Sequence, residues 1–573
     1  MIEPIRAKVK SLCLFQGYLV RQPCLRFVAR NPSFSLLAPS APRTQVPFLH
    51  PPADKSALSV PTAKGNRFIS TERKARWKAR MRWQLRFHAY FWPATILLTF
   101  IGFGAHQTYL ESKYPTPPEL SFWTRWAMRS TMAREFEPFS RLGNPVVDWP
   151  SVGRGYTWLM YRMTNPDKDG QSMAEQLHTC SVDSGAECPG YDVTLNSEPW
   201  RRAYFQVLMG TARAAERLEG YVLDRSRRLV YPGDMVIGPS NPRPKPKPYG
   251  WKDPPREEDC IPAYESPQTS YTRILNTKGL STKQRIDAAL AFADWLDFKA
   301  LASTAEDMYL WAIDIAAEAL PPTSRDVVDR RTGVLKHNFS ASPSENILRA
   351  CTALGVHYAS LGNVQAALPV LVSLLQARKK LPHEPAAEDT LPLREIEDGV
   401  NRKQPFLRTM EALLSGVPYP PAPPSGNEPP LHTLSEACEE IGLMTYIGEI
   451  LFATSSKESG LSWTRDAVDA AEAVMWIMKE RKKEDGQERC QECLAAGLNN
   501  WKKMAKSMAA VIGENSHQSS SSTTTGVGLD PETRPLEQNK RWEEELTQIE
   551  LRIQKTAPLL ASPGKSQVSR WIV

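Results

Sequence analysis

Apolar and polar residues follow a helical period over most of the chain. Between positions 200 and 508, Ala, Leu, Met, Glu and Arg recur at spacings of three and four residues. Long segments that alternate every second residue, as half-buried strands do, are missing from this region. The pattern is typical of helices that bury one face. We therefore predict an all-α protein.

One apolar segment differs from the others because it has no charged face. Residues 87–105 contain no Asp, Glu, Lys or Arg. Nineteen helical residues cover about 28 Å, close to the roughly 30 Å thickness of a hydrocarbon core. We expect a single transmembrane helix over residues 87–107. A helix buried in the core of a folded domain is the alternative interpretation.

Positive charge is concentrated before this segment. Residues 1–86 contain 17 Lys/Arg and 3 Asp/Glu, whereas residues 87–573 contain 54 and 60. The slightly acidic remainder argues against nucleic acid as a main ligand. Residues 1–70 have the basic, Ser- and Leu-containing composition of a mitochondrial presequence, and a disordered basic tail is the alternative.

The charges that flank the apolar segment predict its orientation. The basic segment 71–86 precedes the span, and residues 105–110 carry no charge. The positive-inside rule then places the N-terminus in the matrix and the C-terminal part in the intermembrane space. We expect a single-pass protein of the mitochondrial inner membrane. An outer-membrane or non-mitochondrial location is the competing expectation.

Two segments share a set of positions with identical internal offsets. These positions are Phe292, Ala293, Leu296, Ala305, Tyr309 and Ala312 and, 62 residues later, Leu354, Gly355, Tyr358, Ala367, Leu371 and Leu374. Small residues at such positions let two helices cross closely, and the larger ones fill the space between successive pairs. The pattern predicts two helix–turn–helix units.

These residues resemble the tetratricopeptide repeat. Weaker copies surround Ile447 and Gly448 and, further on, Ala496 and Gly497. The segments 321–345 and 382–431 interrupt a simple tandem, so we expect a degenerate tetratricopeptide-like helical repeat array preceded by the transmembrane helix. The resemblance implies a groove on the first helices that binds extended peptides or helices. By register its candidate residues are Leu290, Asp294, Asp297, Arg349, Thr352 and Val356.

The remaining boundaries follow from composition. Residues 108–194 form a juxtamembrane segment whose residues 121–136 predict an amphipathic helix, either on the membrane surface or as the first helix of the folded domain. The helical domain covers 195–510, with an early helical segment over 200–228 and an extended Pro/Lys-rich linker over 238–251. We expect a disordered linker over 511–536, and a terminal helix and tail over 537–573.

Motifs of catalysis are missing from the sequence. No HExxH, GxSxG or GxGxxG occurs, and position 559 is Leu where a phosphate-binding loop ending at residues 564–566 requires Gly. Cys490 and Cys493 form one close pair, which is too few ligands for a zinc ribbon. Packing of both on a helix, or a disulfide, explains this pair. We expect a non-catalytic protein that uses no cofactor, metal or small-molecule substrate. The alternative is an enzyme with an unrecognised site near this cysteine pair or near residues 294–297.

The order of these features resembles the fungal adaptor subunits of the inner-membrane i-AAA protease, and residues 231–245 look like a signature of filamentous-fungal members. The resemblance implies a non-catalytic adaptor in protein quality control. Such an adaptor binds unfolded or membrane protein substrates in the intermembrane space and hands them to the protease. The alternative is an inner-membrane scaffold or assembly factor for respiratory-chain or ribosome-linked complexes.

Overall fold

Helices form most of the chain in the structure, a computed structural model that describes residues 71–137, 146–179, 187–336, 342–382, 419–454, 456–481, 486–519 and 533–560. The helices are α1 Thr71–Lys113, α2 Phe122–Phe136, α3 Trp149–Thr164, α4 Glu198–Arg217, α5 Pro267–Asn276, α6 Thr282–Phe298, α7 Ala302–Glu318, α8 Glu345–Ser360, α9 Val364–Lys379, α10 Leu434–Thr454, α11 Lys457–Arg481, α12 Gln487–Ser519 and α13 Thr533–Leu560. The described part of the chain is therefore mostly helical, as the sequence predicts.

The apolar segment lies within α1. This helix is long and apolar enough to cross a membrane, by length and composition, and none of its most apolar 18-residue window is buried. It therefore does not serve as a core helix of this chain. The chain divides into two compact units, Met1–His88 and Ala89–Val573. The predicted presequence over 1–70 lies outside the described residues.

Serine residues fix the starts of several helices. Ser197, Ser281 and Ser344 each accept a hydrogen bond from the backbone N–H three residues later. At α6 the Gln284 side chain returns a bond to the Ser281 backbone N–H and completes a capping box. Each cap satisfies an N–H that the helix leaves unpaired, which stabilises it by about 1 kcal/mol.

The two segments with matching offsets are the pairs α6–α7 and α8–α9. All twelve matching positions are buried. Helix α7 also packs on α8, and α9 packs on α10, so successive helices form one continuous stack. A Cβ at Gly355 would lie 2.9 Å from the Leu371 side chain, which explains the small residue there. The predicted helix pairs are confirmed, and their membership of the tetratricopeptide family stays a prediction.

Helix α2 is the first helix of the folded domain. It buries Met128 and Met132 and packs on α3. The membrane-surface alternative for residues 121–136 therefore does not hold for the helix as a whole. Its N-terminal residues Phe122 and Trp123 nevertheless remain exposed.

Two small antiparallel sheets interrupt the early helices. Strands β1 (Ala174–Thr179) and β2 (Glu187–Asp192) pair, and β3 (Tyr221–Asp224) pairs with both β4 (Val230–Pro232) and β5 (Cys260–Pro262). The predicted helix over 200–228 is wrong beyond Arg217, where α4 ends. The strands were missed because β3, β4 and β5 have only three or four residues, and the six-residue strands β1 and β2 show no regular alternation of apolar and polar residues.

The C-terminal helices form a second core. A disulfide joins Cys438 of α10 to Cys490 of α12, whereas Cys493 is a free, buried thiol. The idea of a Cys490–Cys493 disulfide is therefore wrong, because Cys490 is bonded to a cysteine from another helix. Helix α12 continues to Ser519, and α13 begins at Thr533, so both enter the range 511–536 that we expected to be disordered.

Candidate binding groove

A groove lies between α2, α4, α6 and α8, and we call it the groove below. Its volume is about 530 Å³. Half-buried or buried apolar side chains form its floor, and they are Pro115, Met132, Phe205, Met209 and Ala291. Tyr114 and the exposed Phe136 complete its apolar lining. A cleft with an apolar floor suits a peptide or helix that presents apolar side chains.

Alternate helices build the groove. Helix α4 touches α6, and α6 touches α8, so the three lie side by side in one layer. Helices α5 and α7 connect them along the chain. This arrangement of first helices in one layer is the one that helical-pair arrays use to form an inner surface.

Ion pairs surround the floor. Arg349 of α8 pairs with Asp287 of α6 at 2.5 Å. Arg213 of α4 pairs with Glu135 of α2 at 2.7 Å. Burial raises the pKa of the Asp287 carboxyl, and the charges of Arg349 and Lys283 partly offset this effect. Because the arginines already have carboxylate partners, the apolar floor supplies most of the binding energy that the groove offers.

Of the six residues predicted for the groove, Arg349 lines it. Leu290 is buried in the core. Asp294 and Asp297 accept hydrogen bonds from the Tyr309 hydroxyl at 2.6 and 3.1 Å, and Asp297 also contacts Nδ1 of His357 at 2.7 Å. Both aspartates therefore hold neighbouring helices together.

Thr352 and Val356 lie further along α8. Thr352 donates a hydrogen bond to the Leu348 carbonyl of its own helix. Val356 is half-buried and follows Arg349 by seven residues, which returns it to the same face two turns later. Asp294 has the same relation to Asp287 on α6. These two positions continue the helix faces that line the groove without lining it themselves.

Sequence reasoning missed the part of the groove that α4 and the juxtamembrane segment contribute. Helix α4 carries a buried stripe that includes Tyr204 and Val207, and a second, half-buried stripe of Phe205, Met209 and Arg213. A helix that buries one face in the core does not need a second apolar stripe. The second stripe of α4 was therefore the feature of the sequence that could have predicted this side of the groove. Lys113 at the end of α1 carried no such signal.

A proline-rich part of the same chain lies on α4 and α8 beside the groove. Arg202 of α4 donates hydrogen bonds to the Pro420 and Pro421 carbonyls. Asn346 of α8 donates to the Ser425 carbonyl. Arg202 is one helical turn from Phe205, and Asn346 is one turn from Arg349. The surface next to the groove thus holds an extended segment through its backbone carbonyls.

Two side chains at or beside the places named by the enzyme alternative, Cys493 and His357, are buried. Burial raises the pKa of the Cys493 thiol, which disfavours the reactive thiolate. The His357 side chain is fully buried, so it cannot reach a substrate. Among the residues with described positions, no group of three or more His, Cys, Asp or Glu side chains could hold a metal ion.

Comparisons with known proteins give no relative. No protein-family model matches the chain, and no curated protein and no solved structure matches it.

Proposed function

We propose that this chain is a membrane-tethered, non-catalytic protein-binding subunit. Its groove receives an apolar segment of a partner protein. The observation that carries the proposal is the apolar floor shared by α2, α4 and α6 beside a surface that already holds an extended segment of the same chain. A segment of similar character from another protein fits the same chemistry.

The position of the groove supports membrane proteins as partners. Lys113, Tyr114 and Pro115 line one side of it, directly after the helix that is apolar enough to cross a membrane. A partner segment that leaves the bilayer beside α1 therefore meets the groove early. Tethering both proteins to one membrane raises the effective concentration of the partner without new contacts.

We infer that the partners are the inner-membrane i-AAA protease and its substrates, and that the helical domain lies in the intermembrane space. The sequence resemblance supports the partners, and the basic segment before α1 supports the orientation. The Cys438–Cys490 disulfide supports an oxidising compartment, because such bonds rarely persist in reducing ones.

Site-specific photocrosslinking in fungal mitochondria tests this proposal. A benzophenone amino acid replaces Met209 in the floor or, as the control, the exposed Trp476 on α11. We expect adducts with protease subunits or their substrates at position 209 and none of these at 476. Adducts at 209 with respiratory-chain or ribosomal proteins would favour the assembly-factor function instead. The absence of any protein adduct at 209 would contradict the proposed groove.

A further inference from the structure

Five aromatic side chains are grouped at the start of α2 and the end of α3, and we call them the aromatic patch. They are Phe122, Trp123, Trp126, Trp158 and Tyr161. The exposed fractions of Phe122, Trp123 and Tyr161 are 56%, 60% and 57%. The Trp123 ring meets the rings of Phe122 and Trp126 edge to face, at 5.4 and 6.2 Å. Several large aromatic side chains exposed at neighbouring helix ends mark a contact with another phase or molecule.

A polar centre holds the two halves of the patch together. Arg162 of α3 donates to the Thr124 and Ser121 hydroxyls at 2.7 and 2.8 Å, and its guanidinium lies 5.0 Å from the Trp158 ring centroid. Asp169 accepts hydrogen bonds from Ser121 and pairs with Arg162 at 3.3 Å. The beginning of α2 is therefore fixed beside the last turns of α3.

Ion pairs place the same end of α2 next to α1. Glu111 pairs with Arg125 and with Arg129, the latter at 2.9 Å. Glu111 follows the end of the predicted span at residue 107 by four residues, or about 6 Å of helix. Arg125 lies between Trp123 and Trp126 in the chain. The aromatic patch is therefore attached at the depth where the hydrocarbon core gives way to headgroups.

The chemistry of the patch matches that depth. Trp and Tyr concentrate at membrane interfaces because the ring is apolar and its N–H or O–H is polar. Cations accompany them: Arg162 lies over Trp158, and the Lys168 ammonium lies 4.3 Å from the Tyr161 ring centroid. Lys and Arg keep apolar stems in the interface and direct their charge to phosphates.

We propose that the aromatic patch inserts into the headgroup layer of the membrane that α1 crosses. This contact rests on the proposed membrane anchor and adds to it. One helix permits the domain to rotate and tilt against the bilayer, whereas a second contact limits both motions. The insertion therefore fixes the orientation in which the groove, which begins at Lys113, faces the membrane surface.

Photocrosslinking to lipid tests the patch. The full chain is reconstituted in nanodiscs of phosphatidylcholine and cardiolipin, with a benzophenone amino acid at one position at a time. Trp123 and Tyr161 probe the patch, Leu97 probes the span, and the exposed Tyr249 and Trp476 are the matched aromatic controls. We expect about tenfold more phospholipid adduct at 123 and 161 than at 249 and 476.

The position in the span separates the two ways of failing. Lipid adducts at Leu97 together with none at 123 and 161 would overturn the patch and leave the anchor intact. No lipid adduct at Leu97 would overturn the anchor itself. Crosslinks from Trp123 to a second copy of the chain, in place of lipid, would show that the patch is a protein interface and would overturn the proposal.

Discussion

Single polar side chains join neighbouring helices at two places in the stack. Glu135 of α2 accepts hydrogen bonds from Tyr156 of α3 and Arg213 of α4. Asp297 of α6 contacts Tyr309 of α7 and His357 of α8. Each of these carboxylates contacts two neighbouring helices and helps to fix their relative position. Glu135 is buried, so removing Arg213 would leave its charge without a compensating cation.

The first prediction concerns Gly210, which faces Tyr156. A Cβ at Gly210 would overlap the Tyr156 ring, whereas a Cβ at Gly355 would press on the flexible end of Leu371 at 2.9 Å. We expect Gly210→Ala to lower the free energy of unfolding by about 1–3 kcal/mol, despite the better helix propensity of Ala. Gly355→Ala serves as the matched control and should cost less. Thermal unfolding in detergent measures both, and an equal or larger loss for Gly355→Ala would contradict the packing described.

The second prediction concerns the pH dependence of the contacts of Asp169. Burial opposes ionisation, but hydrogen bonds from Thr124 and Ser121 and the charge of Arg162 outweigh it and lower the pKa of Asp169. A lowered folded-state pKa stabilises the protein above the unfolded-state pKa of about 4, and this stability is lost as the pH falls through the folded-state value. Asp169→Asn should therefore lower the unfolding midpoint clearly at pH 7 and less at pH 3. An equal loss at both pH values would contradict the ionised role of Asp169.

At the scale of elements, the sequence predicts helix pairs correctly where the local pattern of apolar residues agrees with their packing. The pairs α6–α7 and α8–α9 were predictable because a small residue on each crossing helix recurs at one offset. The sheets were not, because β1 and β2 show no alternating pattern and β3, β4 and β5 are very short. Most of the groove was also missed, because α4 contributes a second stripe that only the three-dimensional neighbours α2 and α6 make meaningful.

The third prediction concerns the disulfide between α10 and α12. The bond closes a loop with a sequence separation of 52 residues, so removing it should cost about 2–4 kcal/mol. Cys490→Ala should lower the unfolding midpoint, whereas Cys493→Ala on the same helix should change it less. Peptide mapping without reduction should recover Cys438 linked to Cys490. Recovery of a Cys490–Cys493 link, or of free thiols at 438 and 490, would contradict the structure.

At the scale of the whole molecule, three features follow one another around the end of α1. An apolar helix ends at Lys113, an aromatic patch follows it, and a groove begins at the same residue. This order fits a receptor that must meet its partners at a membrane surface.

The fourth prediction concerns topology. In the proposed orientation the N-terminus lies in the matrix, and the residues after α1 face the intermembrane space. Protease added to mitochondria with a ruptured outer membrane should remove an epitope tag at the C-terminus, whereas intact mitochondria should protect it. A matrix protein should stay protected in both samples as the control. Protection of the tag after rupture would contradict the proposed orientation.

The central claim is that the apolar floor of the groove binds a protein segment. Met209→Glu places a charge on this floor, and burying that charge beside a bound apolar segment costs about several kcal/mol. The control, Ile477→Glu on α11, changes a partly exposed apolar residue outside the groove. Both variants are purified from mitochondria with their bound proteins, which are quantified by mass spectrometry. We expect Met209→Glu to lose at least about nine-tenths of the partner that the unmodified chain retains, and Ile477→Glu to keep it. Full retention of that partner by a folded Met209→Glu variant would show that the floor of the groove does not bind it.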